Sequence, residues 1–525
     1  MERIYPIGIQ TFSDLIRRGC VYVDKTDLMW QLQRRYKYIF LARPRRFGKS
    51  LLSSTFHSFL NGEKELFQGL KVMELEKDWQ TYPVFHLDLS SAKGQESPQA
   101  LRERLMLLLK PYTSLYGEDP LEKTPGAMID GLIHRAYQQT GKQVAVIVDE
   151  YDAPLLDVLN EEQTLDDMRK VMQEFYVPLK ACDAMMRFCF ITGITKFSQL
   201  SIFSTINNLY NISMLPEFAA ICGITEQELT TTMAPDIALM AQANDISPEE
   251  MHQRLKRQYD GYHFSEDSAD IYNPFSLIKA FDSKKLGDYW FDSGTPTFLI
   301  RQMQQYQTDI TNLEKIEAEA TDFNKPTEAM TSALPLLYQS GYLTIKDYEP
   351  ESKIYTLSIP NQEVRVGFTE GLLPSYIGLD SRDARLGFAL KFWRALKQDD
   401  IDLAMREMQA FMAGLPYVEG FKKKLADAAN REGFYEYTMY LVFSMLNVYV
   451  RTQVKCNNGR IDMVVRMPQT TYVFEFKTVG TAQQALDQIN AKGYALPYQT
   501  TNRLVKVGVL FNAETRCPES WVVEQ

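Results

Sequence analysis

The chain has 525 residues and a mass of 60.6 kDa, which favours three to four domains at about 150 residues each. Hydrophobic residues make up 45% of the chain and charged residues 24%, so a disordered chain, a fibrous repeat and a coiled-coil rod are excluded. The net charge of -10 argues against a protein that coats nucleic acid through bulk positive charge. Any contact with nucleic acid is therefore expected to be local.

The cysteines and the N-terminal segment indicate the compartment. The six cysteines are scattered without a C-x-x-C pair, which favours reduced thiols, and the five scattered histidines argue against a histidine-built metal centre. The first residues include an acidic side chain and lack the apolar core of a signal peptide. No run reaches the roughly 20 apolar residues that cross a bilayer. We therefore expect a cytoplasmic protein without a membrane partner.

Short apolar runs alternate with helical stretches over about the first 215 residues. The runs lie at 38–42, 83–89, 144–152 and 188–194. Runs of this kind, without polar alternation, are typical of strands that are covered on both faces. The alternation predicts an α/β fold with a parallel sheet, in which the first strand leads through a loop into a helix.

Two further regions follow this predicted sheet. Residues 219–378 have the pattern of helices with polar connections, and 334–361 predict a helix followed by a two-stranded hairpin. That arrangement is compatible with a winged-helix element and equally with a plain connector. Residues 379–525 begin with amphipathic helices and continue with three strands and a helix, which indicates a separate α/β unit. We therefore expect three domains, at 1–218, 219–378 and 379–525.

The loop after the first apolar run has the sequence RPRRFGKS. A phosphate-binding loop needs backbone N–H groups at a helix N-terminus, a lysine for the terminal phosphates and a hydroxyl for Mg²⁺. Lys49 and Ser50 supply the last two, whereas Arg43 occupies the first glycine position of G-x-x-x-x-G-K-[ST]. A chance turn that opens a helix explains the GKS triplet alone equally well. The phosphate-loop interpretation predicts a P-loop NTPase sheet with ATP and Mg²⁺ bound by the loop residues Arg46, Phe47, Gly48, Lys49, Ser50 and Leu51.

Acidic residues end the third apolar run. Asp149 is placed to hold Mg²⁺ at a strand end, and Glu150 is placed to orient water as the catalytic residue. The alternative is an acidic strand end that caps a helix. Thr192 ends the next run, where it is placed to sense the terminal phosphate or, equally, to satisfy a strand-end turn. The loop arginines fit a basic surface or a subunit contact as well, so no catalytic arginine is assigned.

A second chemical pattern lies near the C-terminus. Alternation along YVFEFK places Glu475 and Lys477 on one face of a strand, and the preceding strand GRIDMVV carries Asp462. If these strands pair through a turn at 467–471, the two carboxylates meet and can bind one Mg²⁺. Metal-dependent cleavage of phosphodiesters needs such carboxylates and a lysine that positions or activates water. A charged strand face kept for solubility is the alternative.

Three more side chains are secondary candidates for this nuclease site. Glu436 lies on a predicted helix before the hairpin and would complete the acidic cluster. Gln488 and Tyr494 belong to the segment after the strands and would flank the site. Ordinary surface positions explain each of the three equally well.

Taken together, these motifs resemble bacterial proteins that join an AAA-ATPase-like domain to a C-terminal PD-(D/E)XK nuclease-superfamily domain, a type common in Bacteroidetes. The resemblance runs nearly end to end and is carried by YPIGIQTF, YVDKT, RPRRFGKSLL, VIVDEYDAPL, ITGITKFS, DGYHF, YNPFS, GRIDMVV, FEFK and ALDQINAKGYA. It implies a restriction-endonuclease-like C-terminal fold, and it implies functional roles for three groups: Lys49 and Ser50 on phosphate and Mg²⁺, Asp149 and Glu150 as a Walker B pair, and Asp462, Glu475 and Lys477 as the nuclease core. Ile461 stands where the superfamily name has proline.

The predicted function is ATP binding and hydrolysis coupled to Mg²⁺-dependent cleavage of DNA. The alternative is an ATP-driven regulatory switch whose nuclease-like domain binds nucleic acid or a protein partner without cutting. The intact D…E-x-K set favours the first, and the acidic net charge mildly favours the second. A homo-oligomer, and an arginine finger from a neighbouring subunit, are open at this level.

Overall fold

A computed structural model of the chain describes residues 3–95, 97–159, 161–195, 208–290, 299, 302–303, 305–306, 313, 315–326, 330–368, 388, 391–392, 394–413, 449–456, 459–467, 469–498, 503–512, 514–515 and 517–525. At 449–456 and 459–460 the description is of the backbone alone. The chain divides into two compact units, Met1–Thr308 with Lys315–Glu363 and Asp309–Glu314 with Val364–Gln525. The domain boundaries expected at 218 and 378 stay predictions.

A five-stranded parallel sheet forms the centre of the first unit, as the sequence predicts. Its strands are β1 (Tyr38–Ala42), β2 (Val84–Asp88), β3 (Val144–Asp149), β4 (Met186–Gly193) and β5 (Tyr210–Asn211). The order across the sheet is β2-β3-β4-β1-β5, and every neighbouring pair is parallel. Because the strands are parallel, the segments that follow β1, β2, β3 and β4 all lie at one edge of the sheet.

Helices cover both faces of this sheet. They are α1 (Phe12–Arg17), α2 (Thr26–Arg35), α3 (Lys49–Leu60), α4 (Val72–Leu75), α5 (Pro98–Tyr116), α6 (Pro125–Thr140), α7 (Ala153–Leu156) and α8 (Glu162–Ala181), with short 3-10 helices at Lys64–Phe67, Leu89–Ala92, Asp183–Met185 and Pro216–Ile221. On one face Val146 packs in a core with Ile133 of α6. On the other, Phe56 of α3 contacts Phe188 and Phe190, with ring centroids 4.9 Å apart in each pair. This two-sided cover explains why the strands are predominantly apolar.

A helical layer follows the parallel sheet in the first unit. It contains β6 (Ile224–Thr225), α9 (Glu226–Thr231), α10 (Ala234–Ala243), α11 (Pro248–Tyr259), β7 (Ile271–Tyr272) and α12 (Pro274–Ser283), and β6 and β7 pair antiparallel. Its core includes Met240, Leu255 and Leu277, and the N-terminal side chains of Val21 and Val23 pack against it. The N-terminal segment therefore takes part in the packing of this layer.

A three-stranded antiparallel sheet completes the first unit. Its elements are β8 (Ile316–Ala318), α13 (Ala320–Phe323), α14 (Leu334–Gln339), β9 (Thr344–Glu349) and β10 (Ile354–Ser358), with the strand order β8-β10-β9. The helix and hairpin predicted over 334–361 are thus present as α14, β9 and β10. The winged-helix assignment stays a prediction.

The second unit is a mixed five-stranded sheet with a crossing helix. Its described elements are α15 (Ile401–Ala413), β11 (Tyr449–Cys456), β12 (Gly459–Arg466), β13 (Thr470–Lys477), α16 (Ala482–Ala491), a 3-10 helix at Leu496–Tyr498, β14 (Arg503–Phe511) and β15 (Pro518–Glu524). The sheet order is β11-β12-β13-β14-β15, in which only β13 and β14 are parallel. α16 connects this parallel pair and passes close to β14 at Gly508, where a Cβ would lie 2.3 Å from the Ala482 carbonyl oxygen. Among the helices that the structure describes, none is long and apolar enough to cross a membrane.

Candidate nucleotide site and candidate nuclease site

The loop 43–48 joins β1 to α3 and presents the N-terminus of that helix at the carboxyl edge of the parallel sheet. Gly48 precedes the helix with φ of 91° and has no side chain to cap it. Glycine adopts this left-handed conformation far more readily than other residues, so this position needs its glycine. Backbone N–H groups at the start of a helix attract phosphate oxygens. The geometry of the loop therefore fits phosphate despite the missing first glycine.

Lys49 begins α3, and its side chain turns back over the loop. Its Nζ donates to the carbonyl oxygens of Arg43 and Pro44, each at 3.0 Å. Burial lowers the pKa of Lys49, and the nearby carboxylates of Asp149 and Glu150 oppose that shift. The ammonium group is thus held by neutral oxygen atoms inside the loop.

Asp149 and Glu150 lie beside the loop at the end of β3. The side chain of Ser50 lies beside Asp149 and acts to lower the pKa of Asp149, whose Oδ1 accepts from the Glu150 N–H at 3.1 Å. Burial raises the pKa of both carboxyl groups. Glu150 has φ of 52°, a conformation that non-glycine residues rarely adopt and that often marks functional sites. The hydroxyl and carboxylate oxygens together are donors that suit Mg²⁺.

Arg43, at the first glycine position of the motif, points into the protein and is only 1% exposed. Its guanidinium donates to the carbonyl oxygens of Ala42 at 3.0 Å and of Ser213 at 2.7 Å. The same group lies over the ring of Phe264, 4.1 Å from the centroid. Arg43 therefore anchors the loop to a segment far along the chain and does not point toward the phosphate position.

Thr192 and Asp152 bind the strand ends around the loop. The Thr192 hydroxyl donates to the Leu41 carbonyl at 2.9 Å, between β4 and β1. The Asp152 Oδ2 accepts from the backbone N–H groups of Ile194 and Thr195, at 3.0 and 2.7 Å. Both side chains are buried. Their contacts hold the end of β4 in place, and a phosphate-sensing role for Thr192 stays a prediction.

A small, mostly apolar cavity adjoins the loop at Gly48. Its walls include Val23 of the N-terminal segment, Leu52 of α3, and Ile224 and Ile278 of the helical layer. A concave, mostly apolar cavity beside a phosphate loop suits a planar base. The sequence did not predict this cavity, because its walls come from three separate parts of the chain.

Asp88 is an acidic residue of the nucleotide site that the sequence analysis missed. It ends β2 and pairs in register with Asp149 on β3. Its charge contributes to the raised pKa values of Asp149 and Glu150, after the larger effect of burial. The available signal was a carboxylate at the end of the apolar run 83–89, a feature that the third run shares.

Asp462 and Glu475 lie side by side in the hairpin of β12 and β13. The strands pair antiparallel as far as Met463 and Phe474. The next residue is Asp462 on β12 and Glu475 on β13. Asp462 Oδ2 accepts the backbone N–H of Phe476 at 2.7 Å, and Glu475 is 3% exposed. The pairing expected through the turn at 467–471 is therefore present, and it places the two acidic residues opposite one another on adjacent strands.

Gln488 on α16 links two of the candidate nuclease residues. Its Oε1 accepts a hydrogen bond from Lys477 Nζ at 2.9 Å, and its Nε2 donates to Glu475 Oε1. The helix that carries it begins with a capping box of Thr481 and Gln484, which fixes the start of α16. The structure thus places Gln488 in direct contact with the pair that the sequence analysis predicted it would flank.

The remaining nuclease candidates have different environments. Tyr494 is 2% exposed and packs in the apolar core of the second unit with Ile461 and Leu486. A role for Tyr494 at the site stays a prediction. Glu436 lies outside the described residues.

The comparisons with known proteins match the two regions of the chain that carry these candidate sites. A phosphate loop on a parallel sheet, followed by a hairpin with a D…E-x-K set, defines an ATPase-like protein with a nuclease-like domain. Residues 6–203 match the family described as "Predicted AAA-ATPase", and residues 430–521 match the "PD-(D/E)XK nuclease superfamily". The chain is also 33% identical over 527 residues to the "Uncharacterized protein in vnfD 5'region" of Azotobacter chroococcum mcd 1. The aligned region covers 99% of this chain and 98% of that protein. The chain therefore belongs to the family of predicted AAA-ATPases with a C-terminal PD-(D/E)XK nuclease-superfamily domain.

Proposed function

We propose that the protein binds and hydrolyses ATP in its first unit and cleaves phosphodiester bonds of DNA in its second. The observation that carries the nuclease proposal is that Gln488 joins Glu475 to Lys477, while Asp462 lies on the adjacent strand and accepts the N–H of Phe476. A charged face kept only for solubility does not need a buried carboxylate joined to a lysine through an amide. The proposed cleavage of phosphodiesters uses the side chains of Asp462, Glu475 and Lys477.

The nucleotide site divides into a phosphate part and a base part. The N-terminus of α3 and Lys49 would bind the phosphates, and the apolar cavity beside Gly48 would hold the base. Ser50 and Asp149 would hold Mg²⁺, whose contribution is to neutralise phosphate charge. Glu150 would orient water at the end of β3. The hydroxyl oxygen of Ser50 and the carboxylate oxygens of Asp149 are ligand types that suit Mg²⁺.

The nuclease site would use the same metal chemistry on the DNA backbone. Asp462 and Glu475 would hold Mg²⁺, which supplies Lewis acidity toward the phosphate. Lys477 would position or activate the attacking water. Gln488 would keep Lys477 and Glu475 at a fixed separation, because it hydrogen bonds to both.

The test is DNA cleavage by the full-length protein with Mg²⁺ or Mn²⁺, with and without ATP, on linear and circular substrates. We expect Asp462→Asn and Lys477→Met to lower the cleavage rate by about 100-fold or more. The matched control is Asp487→Asn, an exposed residue of α16 bonded to Gln483, which should cleave at the wild-type rate. Wild-type cleavage in Asp462→Asn would refute the nuclease assignment.

The coupling to ATP is tested with Lys49→Ala and Glu150→Gln in the same assay. Both should reduce ATP hydrolysis, and the ATP dependence of cleavage should disappear with it. ATP hydrolysis without cleavage of any substrate would favour the alternative, a regulatory switch whose nuclease-like domain binds without cutting.

A further inference from the structure

Three side chains of the kinds that bind metal ions form a cluster away from the carboxyl edge of the parallel sheet, where the nucleotide site lies. Asp130 and His134 are four residues apart on α6 and therefore share one face of that helix. Cys182 directly follows α8 and lies before the amino end of β4, whereas the phosphate loop follows the carboxyl end of β1. The cluster is thus separate from the nucleotide site.

The three side chains approach one another closely. Cys182 Sγ lies 3.3 Å from Asp130 Oδ1 and 3.8 Å from His134 Nδ1. His134 Nδ1 lies 3.6 Å from Asp130 Oδ2. One ligand atom of each residue can be chosen so that all three lie within 4.8 Å of one another.

Taken pair by pair, these separations resemble those between two ligands of a tetrahedral zinc ion, and a single Asp130 oxygen lies within 4.8 Å of both other ligand atoms. Zinc binds sulfur, nitrogen and oxygen at about 2.0–2.3 Å, so two ligands of a tetrahedral ion are about 3.3–3.8 Å apart. We propose that Asp130, His134 and Cys182 form a Zn²⁺ site in the first unit. The side chains of His134 and Asp130 are 46% and 43% exposed, which leaves a fourth position for water.

The donor chemistry selects a different ion from that expected at the two hydrolytic sites. A thiolate and an imidazole suit Zn²⁺, whereas Mg²⁺ prefers oxygen ligands. Binding requires Cys182 to give its proton to solvent. It also requires His134 Nδ1 to give up its contact with the backbone carbonyl oxygen of Asp130, now at 3.0 Å. That oxygen keeps its hydrogen bond to the backbone within α6.

A cysteine nucleophile is the competing explanation for the cluster, and the surroundings of the sulfur argue against it. The Cys182 thiol donates its hydrogen to Asp130 Oδ1 at 3.3 Å. A sulfur atom that keeps its proton is a weak nucleophile. A bound ion would instead connect α6 to the end of α8, so it should raise the thermal midpoint of the first unit.

The experiment is a Co²⁺ titration of the full-length, metal-free protein, followed by absorption spectroscopy. The expected result is a near-ultraviolet charge-transfer band from a cobalt–thiolate bond, together with the visible bands of tetrahedral Co²⁺, saturating at one equivalent. Zn²⁺ should displace both. Co²⁺ bound only by oxygen ligands at the other sites gives no sulfur band, so the readout does not depend on the proposed function.

Variants decide which cysteine is involved. Cys182→Ser should abolish the charge-transfer band, and His134→Ala should weaken Co²⁺ binding at least tenfold. Cys20→Ser is the matched control, a buried free cysteine of the same unit, and should keep the band. If Cys182→Ser fails to fold, the half-exposed His134 still provides the test. Absence of the band in the wild type, or its persistence in Cys182→Ser, would overturn the proposal.

Discussion

Arg43 stands where other phosphate loops have glycine, so Arg43→Gly restores the common motif. We expect this change to destabilise the first unit without improving nucleotide binding. The reason is that the buried guanidinium donates to the carbonyl oxygens of Ala42 and Ser213 and contacts Phe264. Glycine at this position removes all three contacts and leaves the Ser213 carbonyl without this donor.

The size of the effect can be estimated from these contacts. A hydrogen bond from a charged donor contributes about 1.5–3 kcal/mol, and a desolvated cation–π contact about 2 kcal/mol. Burial lowers the pKa of Arg43 from 12.5 to about 10. That shift offsets about 3 kcal/mol of the gain, at 1.36 kcal/mol per pKa unit. Glycine adds about 0.5–1 kcal/mol through backbone entropy, so the expected net loss is about 2–6 kcal/mol.

Urea unfolding followed by tryptophan fluorescence measures this loss, and a fluorescent ATP analogue measures binding under conditions where the variant is folded. Arg45→Gly is the matched control, because it makes the same change in the same loop at a half-buried side chain. We expect the control to change the free energy of unfolding by less than about 1.5 kcal/mol. An Arg43→Gly protein that unfolds at the wild-type urea concentration, or that binds the analogue more tightly, would refute the reasoning.

Three other side chains have measurable roles. Burial raises the pKa of Glu363 from 4.5 to about 8, so the folded protein retains a proton that the unfolded chain loses, and stability should fall as pH rises from about 5 to 8. Glu363→Gln should remove that fall, about 4–5 kcal/mol at most, in thermal melts at the two pH values; an unchanged pH dependence would contradict this. Asp152→Asn should lower the free energy of unfolding in urea by about 2–4 kcal/mol, because Asp152 accepts hydrogen bonds from two backbone N–H groups. The control Asp157→Asn, at an exposed residue, should change that free energy by less than about 0.5 kcal/mol. Gln488→Ala should slow DNA cleavage about tenfold or more and leave ATP hydrolysis unchanged, and equal cleavage rates would exclude a positioning role for Gln488.

The strands of the first unit could be predicted because both faces of the sheet are covered. The apolar run 38–42 corresponds to β1, and the runs 83–89 and 188–194 overlap β2 and β4 to within two residues. The run 144–152 extends beyond β3, because Glu150 leaves the extended conformation with φ of 52°. The D…E-x-K hairpin could be predicted for a similar reason, since alternation along a strand fixes which side chains share a face.

The rest depends on contacts between distant parts of the chain. Arg43 bonds to Ser213, 170 residues away, and the pairing of Asp88 with Asp149 depends on strand order. Asp130 and Cys182 meet only because α6 packs beside α8. None of these contacts has a local sequence pattern, so composition, periodicity and motif spacing could not indicate them.

Both candidate sites hold a lysine through neutral oxygen atoms. Lys49 donates to two carbonyl groups of its own loop, and Lys477 donates to the side-chain amide of Gln488. Within the part of the chain that the structure describes, neither lysine forms an ion pair with a carboxylate. An ion pair would neutralise the ammonium, whereas a neutral acceptor leaves its charge for an incoming phosphate and forms a weaker bond that is easier to exchange. Under the proposed function, Lys49 would thus keep its charge for the phosphates of ATP, and Lys477 would keep its charge beside the DNA phosphate, where it positions the attacking water.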